Sequence, residues 1–289
     1  MVTEQHLIIE PIIGENEKSA KDRLRNFPWW FLALIFIAIG VFFVISSNEE
    51  YNAAFIFIKI GLAITLKTTL IAYAIAIVFG LLAGLGRISK NIFFNNLARL
   101  YVELIRGIPI LVLIFFIALV GVPSLVNGLN SIGEWLSSAG ISPLSKPFLA
   151  ITNQDISMNA RAIIALAVTY GAYLAEIFRA GIQSIGKGQM EAARSLGMSY
   201  GQAMRYIILP QAIRNVLPAL GNDFVAMVKD SSLVSVLAVR DITQVARLYA
   251  GSTFRFREAY VTLAVMYLTM TVMLSLIVQV VERRLRSND

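Results

Sequence analysis

Cysteine is absent from the 289 residues, which removes disulfides, thiol nucleophiles and cysteine metal sites from consideration. Histidine occurs once, as His6 in a polar N-terminal stretch, so no histidine metal centre is expected either. Charged residues make up only 15% of the chain. The net charge of +7 is carried by Lys and Arg that fall mainly between apolar runs, a distribution that fits membrane topology better than a nucleic-acid groove. What the chain has in excess is apolar: 57% of residues are hydrophobic and the mean hydropathy is +0.70, above the roughly 45–50% apolar usage of soluble domains. The sequence is that of an integral membrane protein.

Apolar runs long enough to span follow one another along the chain. Residues 1–28 form a polar tail with Lys18, Lys21, Arg23 and Arg25, and Trp29 to Ile45 reads as a retained first membrane helix rather than a cleaved signal. After an acidic outside loop, an interfacial helix to Gly61 and a span from Leu62 to about Leu85 are expected, with glycines at 80, 84 and 86 offering a face for close helix packing. Arg87 to Arg99 reads as a basic inside loop. Tyr101 to Gly121 is the third expected span, although Glu103, Arg106, Gly107 and Pro109 interrupt its start. Residues 122–157, with three prolines and one basic residue, are expected outside, with a short helix near Ile132 to Ser138. Further spans are expected at Ala160–Phe178, Val216–Leu237 and Ala259–Val281, with Arg240 to Glu258 as a polar connection.

Lys and Arg counts test this topology. The stretches 1–28, 87–100, 179–215 and the C-terminal tail hold four, three, five and three, whereas 46–52 and 122–157 together hold Lys146 alone. The positive-inside rule then places both termini in the cytoplasm and gives an all-α, polytopic membrane protein of about six helices. Residues 229–257 resist it, with five basic residues on the supposed outside. Either part of that stretch lies in a polar cavity or the fifth span is misdrawn.

The polar segment Glu191 to Pro210 interrupts the apolar pattern most sharply. Glu191 to Leu196 is a short helix by propensity, Gly197 stands where a left-handed stop would place glycine, and Ser199 can cap a second helix that Pro210 ends. Glu-Ala-Ala, Gly and Ile-x-Leu-Pro recur here at fixed spacing, in Glu191, Ala192, Ala193, Gly197, Ile207, Leu209 and Pro210. This resembles the EAA loop of ABC importer permeases, the cytoplasmic coupling helix that docks on the ATPase.

Ionisable and amide groups at membrane depth mark a solute path or a structural ion pair. Glu176, Asn222, Asp223, Lys229, Asp230, Ser231 and Ser232 are of this kind. Arg106 either pairs with Glu103 one turn away or offers its guanidinium fork to a substrate carboxylate.

Beyond the loop, the chain resembles the polar amino acid permeases of ABC importers, the MetI-like group, over roughly residues 58–286. Glu103-Leu104-Ile105-Arg106-Gly107-Ile108-Pro109 is similar to that family's E-x-x-R-G-T-P segment. Ala172-Tyr173-Leu174-Ala175-Glu176 and Arg179-Ala180-Gly181-Ile182-Gln183 resemble its A-Y-x-x-E and R-x-G-I-Q patterns. Lys187-Gly188-Gln189, Asn222-Asp223 and Lys229-Asp230-Ser231-Ser232-Leu233 are similar to its K-G-Q, N-E/D and K-D-T/S-S-L. Ile108 departs from the family threonine, and the N-terminal span and residues 122–157 exceed the minimal members. The resemblance implies a core of about five helices plus the N-terminal one, in a bacterial cytoplasmic membrane. It implies two permease chains, the same or paralogous, a pair of ATPases that carry ATP and Mg, and an extracytoplasmic amino-acid-binding protein. It divides the chain into a tail (1–28), an N-terminal helix with its loop (29–57) and a permease domain (58–286), the last with an outer insertion (122–157) and an inner coupling loop (183–215). Substrate contacts would come from Arg106, Glu176, Asn222, Asp223 and Ser231.

Gly181-Ile182-Gln183-Ser184-Ile185-Gly186-Lys187 has phosphate-loop spacing. Gly188 replaces the Mg-binding hydroxyl and a membrane helix precedes it, so nucleotide is expected on another chain and no catalytic residue is expected here. The alternative reading, a stand-alone secondary transporter or channel, calls for inverted repeats that the sequence does not offer.

Overall fold

A computed structural model describes residues 36–37, 40–41, 43–45 and 47–286. The N-terminal tail, His6 and most of the Trp29–Ile45 span lie outside the described residues. The chain divides into residues 1–48 and 49–289. In the first unit the described positions through Ser47 are helical. In the second every described regular element is a helix. Four helical runs are long and apolar enough to cross a membrane: Glu49–Ile88, Ile110–Ser138, Met158–Gln183 and Phe256–Glu282.

The first run comprises α1 (Glu49–Ile58), a 3₁₀ turn (Lys59–Gly61) and α2 (Leu62–Ile88). The polar Thr65, Thr68 and Thr69 that break its apolar pattern are buried and satisfied. Thr65 donates to the Gly61 carbonyl and accepts from the Ile242 N–H, Thr69 donates to the Thr65 carbonyl, and Thr68 donates to Asn159 Oδ1 at 2.7 Å. Lipid cannot satisfy such groups, so they point inward.

Only Ser89 to Asn91 separates α2 from α3 (Ile92–Arg106), so the expected basic inside loop is mostly helix. Asn91 caps α3 by accepting from the Phe93 N–H, and Asn95 donates to the Arg87 carbonyl. The expected third span is also redrawn. Gly107, Ile108 and Pro109 end α3, since proline denies its predecessor the helical region. The span therefore starts at Ile110, as α4 (Ile110–Phe116), and passes through a π turn (Ile117–Gly121) into α5 (Val122–Ser138). Pro123 falls in the first turn of α5, where no N–H is missed. The first half of the supposed outer loop is thus a continuation of the span, and its last turns are the helix expected near Ile132.

The π turn leaves carbonyls that need partners. Arg161, 8% exposed, donates to the Ala118 carbonyl within that turn and to the carbonyls of Ile156 and Asn153. It thereby ties the connection after α6 (Ser142–Leu149) to the span. In the same connection Thr152 donates its hydroxyl and N–H to Asp155, which holds that exposed carboxyl below its usual range.

α7 (Met158–Gln183) is the central helix, capped at its start by Ser157. It runs parallel to α2: a Cβ on Gly80 would lie 2.5 Å from Leu174 Cβ, and one on Gly84 would lie 2.9 Å from Phe178 Cβ. The expected glycine face is therefore a helix seam, and Gly86 serves a different neighbour, Ala98 of α3. Both C-terminal ends consequently meet at one end of the bundle.

After α8 (Lys187–Ser195) and α9 (Tyr200–Ala203), a π turn (Met204–Ile208) leads into α10 (Leu209–Asp230). Pro210 does not end the helix, because the π turn directly before it absorbs the missing N–H. The expected fifth span, Val216–Leu237, starts too late and ends too late: Ser231–Leu237 is a 3₁₀ turn, closed by Ala238 at φ 57°. The expected polar connection holds α11 (Ile242–Thr253), capped by Asp241, before α12 (Phe256–Arg286). α11 packs its Ile242, Ala246 and Tyr249 with α1 and α12. Arg255 reaches Glu50 at 3.1 Å, so the basic stretch 229–257 sits at the end opposite the 89–91 turn, and its arginines are exposed there.

Gly80→Leu forces α2 off α7 and should destabilise the chain by about 1–3 kcal/mol, the usual cost of overpacking. Thermal unfolding in detergent checks this against Gly128→Ala, where a Cβ meets nothing within 4 Å and helix propensity should hold or slightly raise the midpoint.

Candidate functional site

The segment 184–210 projects from the end where α2 and α7 finish. α8 closes in a complete left-handed stop: Met198 N–H donates to the Ala193 carbonyl and Gly197 N–H to that of Arg194, with Gly197 at φ 82°. Ser199 then forms a reciprocal cap with Gln202, accepting at 3.3 Å and donating its own N–H at 2.8 Å. Two helices are thus joined by a four-residue turn whose geometry is set locally.

The motif residues divide by direction. Glu191 and Ala192 are exposed, whereas Ala193 is buried. Ile207 and Leu209 pack with Met190, Ile185 and Ile182 into a cluster that holds the projection to the bundle. Asn215 adds a hydrogen bond to Ser184 Oγ at 3.1 Å. Residues outside the motif complete the outward face: Leu196 is 84% exposed and Tyr206 62%, beside a hollow of about 320 Å³ that they line with Met198 and Gln202. Their signal in the sequence is an apolar residue at each edge of a polar turn.

Deeper at the same end lies a charge cluster. Glu176 accepts from Arg87, and its second oxygen takes both Nε and Nη2 of Arg179 at 3.0 and 2.8 Å. Arg87 also stands 3.9 Å from Glu103. Arg106 does not pair with Glu103; its guanidinium lies 5.7 Å from the centre of the Tyr173 ring. Arg87, which the sequence placed in a loop, is the residue missed.

Along α10 the polar residues separate. Asn222 and Lys229 are exposed, Asp223 is partly buried, and its Oδ2 has no partner. Asp230 accepts from the Tyr170 hydroxyl at 2.7 Å, so it is not simply paired with Lys229. Ser231 is buried with its hydroxyl donated to the Val228 carbonyl. Tyr73 donates to the Leu220 carbonyl and stacks at a tilt on Phe224. The structure brings Arg106, Glu176 and Tyr173 together at the end that bears the 187–210 segment and sets Asp223 and Asp230 on α10 opposite the tyrosines. Among the described residues no group of His, Cys, Asp and Glu is placed to hold a metal.

A bundle with polar groups at membrane depth and a capped, outward-facing loop at one end defines a polytopic transport protein. Residues 76–287 match the family of binding-protein-dependent transport system inner membrane components, and the chain belongs to that family. It is 36% identical over 223 residues to the probable amino-acid permease protein YxeN of Bacillus subtilis, covering 77% of this chain and 88% of that one. With the glutamine transport system permease protein GlnP of Escherichia coli it shares 34% over 226 residues, 78% and 91% of the two chains. A solved amino acid ABC transporter with histidines has a chain 38% identical, with TM-score 0.64 over 82% of this chain and 97% of that one.

The two guanidiniums around Glu176 define a test. Glu176→Gln and Arg87→Gln should each lower the unfolding midpoint, and the double variant should recover part of the loss, with a coupling of about 0.5–3 kcal/mol. A double-mutant cycle by thermal unfolding measures it.

Proposed function

We propose that this chain is the permease subunit of an ATP-driven importer of polar amino acids in a bacterial cytoplasmic membrane. It works with a second permease chain, a pair of separate ATPases that bind ATP and Mg, and an extracytoplasmic binding protein. The observation that carries the reading is the segment 187–210, whose exposed Glu191, Ala192, Leu196 and Tyr206 stand on a locally fixed scaffold. A surface of this kind fits a groove on a partner, and the relatives are amino-acid permeases.

In this reading the permease domain spans 58–286, and 183–215 receives the motion of the ATPases. Arg106, Asn222 and Asp223 contact the substrate. Arg106 meets the carboxylate, and Asp223, whose Oδ2 is unpartnered, meets the ammonium. Glu176 is shared between two arginines, so it acts at the inner exit, where it holds the helix ends until they part. Ser231 shapes the wall beside Asp223 through its bond to Val228. The outer insertion 122–157 faces the binding protein's side of the membrane.

The test is uptake of a labelled polar amino acid into proteoliposomes that hold the chain with an ATPase and a binding protein. Uptake should require ATP, and Leu196→Asp should reduce it about tenfold, the effect of losing ~1.4 kcal/mol at the docking surface. The same variant should co-purify less ATPase while retaining its unfolding midpoint. Nucleotide-independent uptake by the chain alone would make it a secondary transporter instead.

A further inference from the structure

A groove of about 630 Å³ runs between α2 and α3, lined by none of the residues assigned above to solute contact or to docking. The two helices touch where Gly86 meets Ala98. Phe79, Leu82, Phe94 and Leu97 form the walls, and Tyr101 with Val168 closes the floor, its hydroxyl spent on the Val168 carbonyl. From Phe79 to Ser89 the groove follows α2 for roughly 15 Å at 1.5 Å per residue. It is a long apolar slot, open along one side, whose walls are partly exposed.

One end of the slot is polar and preformed. Ser89 lines it, and its oxygen accepts from the Asn91 N–H, which leaves the hydroxyl hydrogen free to donate. Asn95 clamps the turn by donating to the carbonyls of Arg87 and Ser89. Lys90, the next residue, is exposed. Arg87 is already engaged with Glu176, so the charge on offer at this mouth is that of Lys90. α3 continues the same surface. Phe93, Leu97, Leu100 and Leu104, at helical spacing, are all more than half exposed, with Asn96, Arg99 and Glu103 on the next sector. This is the pattern of a helix lying at a membrane interface.

We propose that this slot is a binding site for an anionic phospholipid, with one acyl chain between α2 and α3 and the phosphate at Ser89 and Lys90. Charge complementarity selects the headgroup, because an ammonium and a free hydroxyl are donors with no acceptor to satisfy. The slot opens at the end of the bundle that bears the 187–210 segment, so the lipid belongs to the leaflet on that side.

The test uses the full chain, delipidated and then offered mixed micelles of phosphatidylglycerol and phosphatidylcholine, with retained lipid counted per chain by native mass spectrometry. Wild-type protein should keep phosphatidylglycerol preferentially. Lys90→Gln should lower that preference about fivefold, the worth of one basic residue beside an anionic headgroup. Lys146→Gln, an exposed lysine in the outer insertion, should leave it unchanged. Leu82→Trp, or Leu97→Trp if the first does not fold, fills the slot and should remove the retained lipid of both kinds. Equal retention of the two lipids by wild type, or an unchanged preference in Lys90→Gln, overturns the proposal. So does efficient disulfide cross-linking of Leu82→Cys between copies, which in a chain without cysteine reports a protein occupant.

Discussion

The seam between α2 and α7 governs the rest of the molecule. In lipid there is no hydrophobic gain from bringing two apolar helices together, so close contact must come from small residues that let backbones approach. Gly80 and Gly84 on one helix and Gly171 on the other supply it, Gly171 admitting Phe79 and the Tyr101 hydroxyl. The seam fixes a parallel alignment with no freedom to slide by a turn. That register carries Arg87 to Glu176, and it sets the 89–91 turn and the start of the 187–210 projection at the same end. The lipid slot exists for the same reason, since α3 must turn back against a pair of helices that are already locked.

Polar residues inside the bundle fall into two groups once their partners are followed. The threonines of α2, Arg161 and Tyr73 are consumed by carbonyls and amides of the bundle, Arg161 at the π turn and Thr65 at the 3₁₀ turn, Thr69 and Tyr73 within helices. Their cost in lipid is offset internally. Asp223 and the ring-stacked Arg106 are different: among the described residues the Asp223 Oδ2 has no partner, and the exposed Arg106 guanidinium has no carboxylate within 4.0 Å. An unsatisfied polar group at membrane depth costs free energy unless water or solute reaches it. This is the physical ground for assigning the solute path to them rather than to Ser231.

The loop 187–210 was legible in the sequence because its structure is local. A glycine at φ 82° and a serine three residues before glutamine specify a stop and a start without help from elsewhere in the chain. The helix boundaries were less legible. Arg87 to Arg99 reads as a loop by charge, but its three charges fall on the end of α2, the short turn and α3 in succession, and a count of basic residues cannot see those boundaries. Pro210 reads as a stop, yet it follows a π turn that relieves the proline. The pairing of Glu176 with Arg87 joins residues 89 apart, and it depends on the α2–α7 register, which the glycine pattern permits but does not fix.

Coupling in the proposed importer needs a stiff path from the docking surface to the solute. α10 supplies one, because the 187–210 segment enters it through a π turn without an intervening loop. Twenty-two residues of helix from Leu209 to Asp230 cover roughly 33 Å at 1.5 Å per residue, about the thickness of the hydrocarbon core. Gly181 of α7 admits Val216 of α10, and Gly221 of α10 admits Val278 of α12, so the contacts of α10 are close at both places. A displacement of the projection therefore acts on Asp223 and Asp230 through one continuous helix, while the Glu176 ion pairs hold the neighbouring helix ends. The same segment thus bears both the outward face that can be pulled and the inward residues that would feel the pull, while the pair of Glu176 with Arg87 keeps α7 and α2 together at that end.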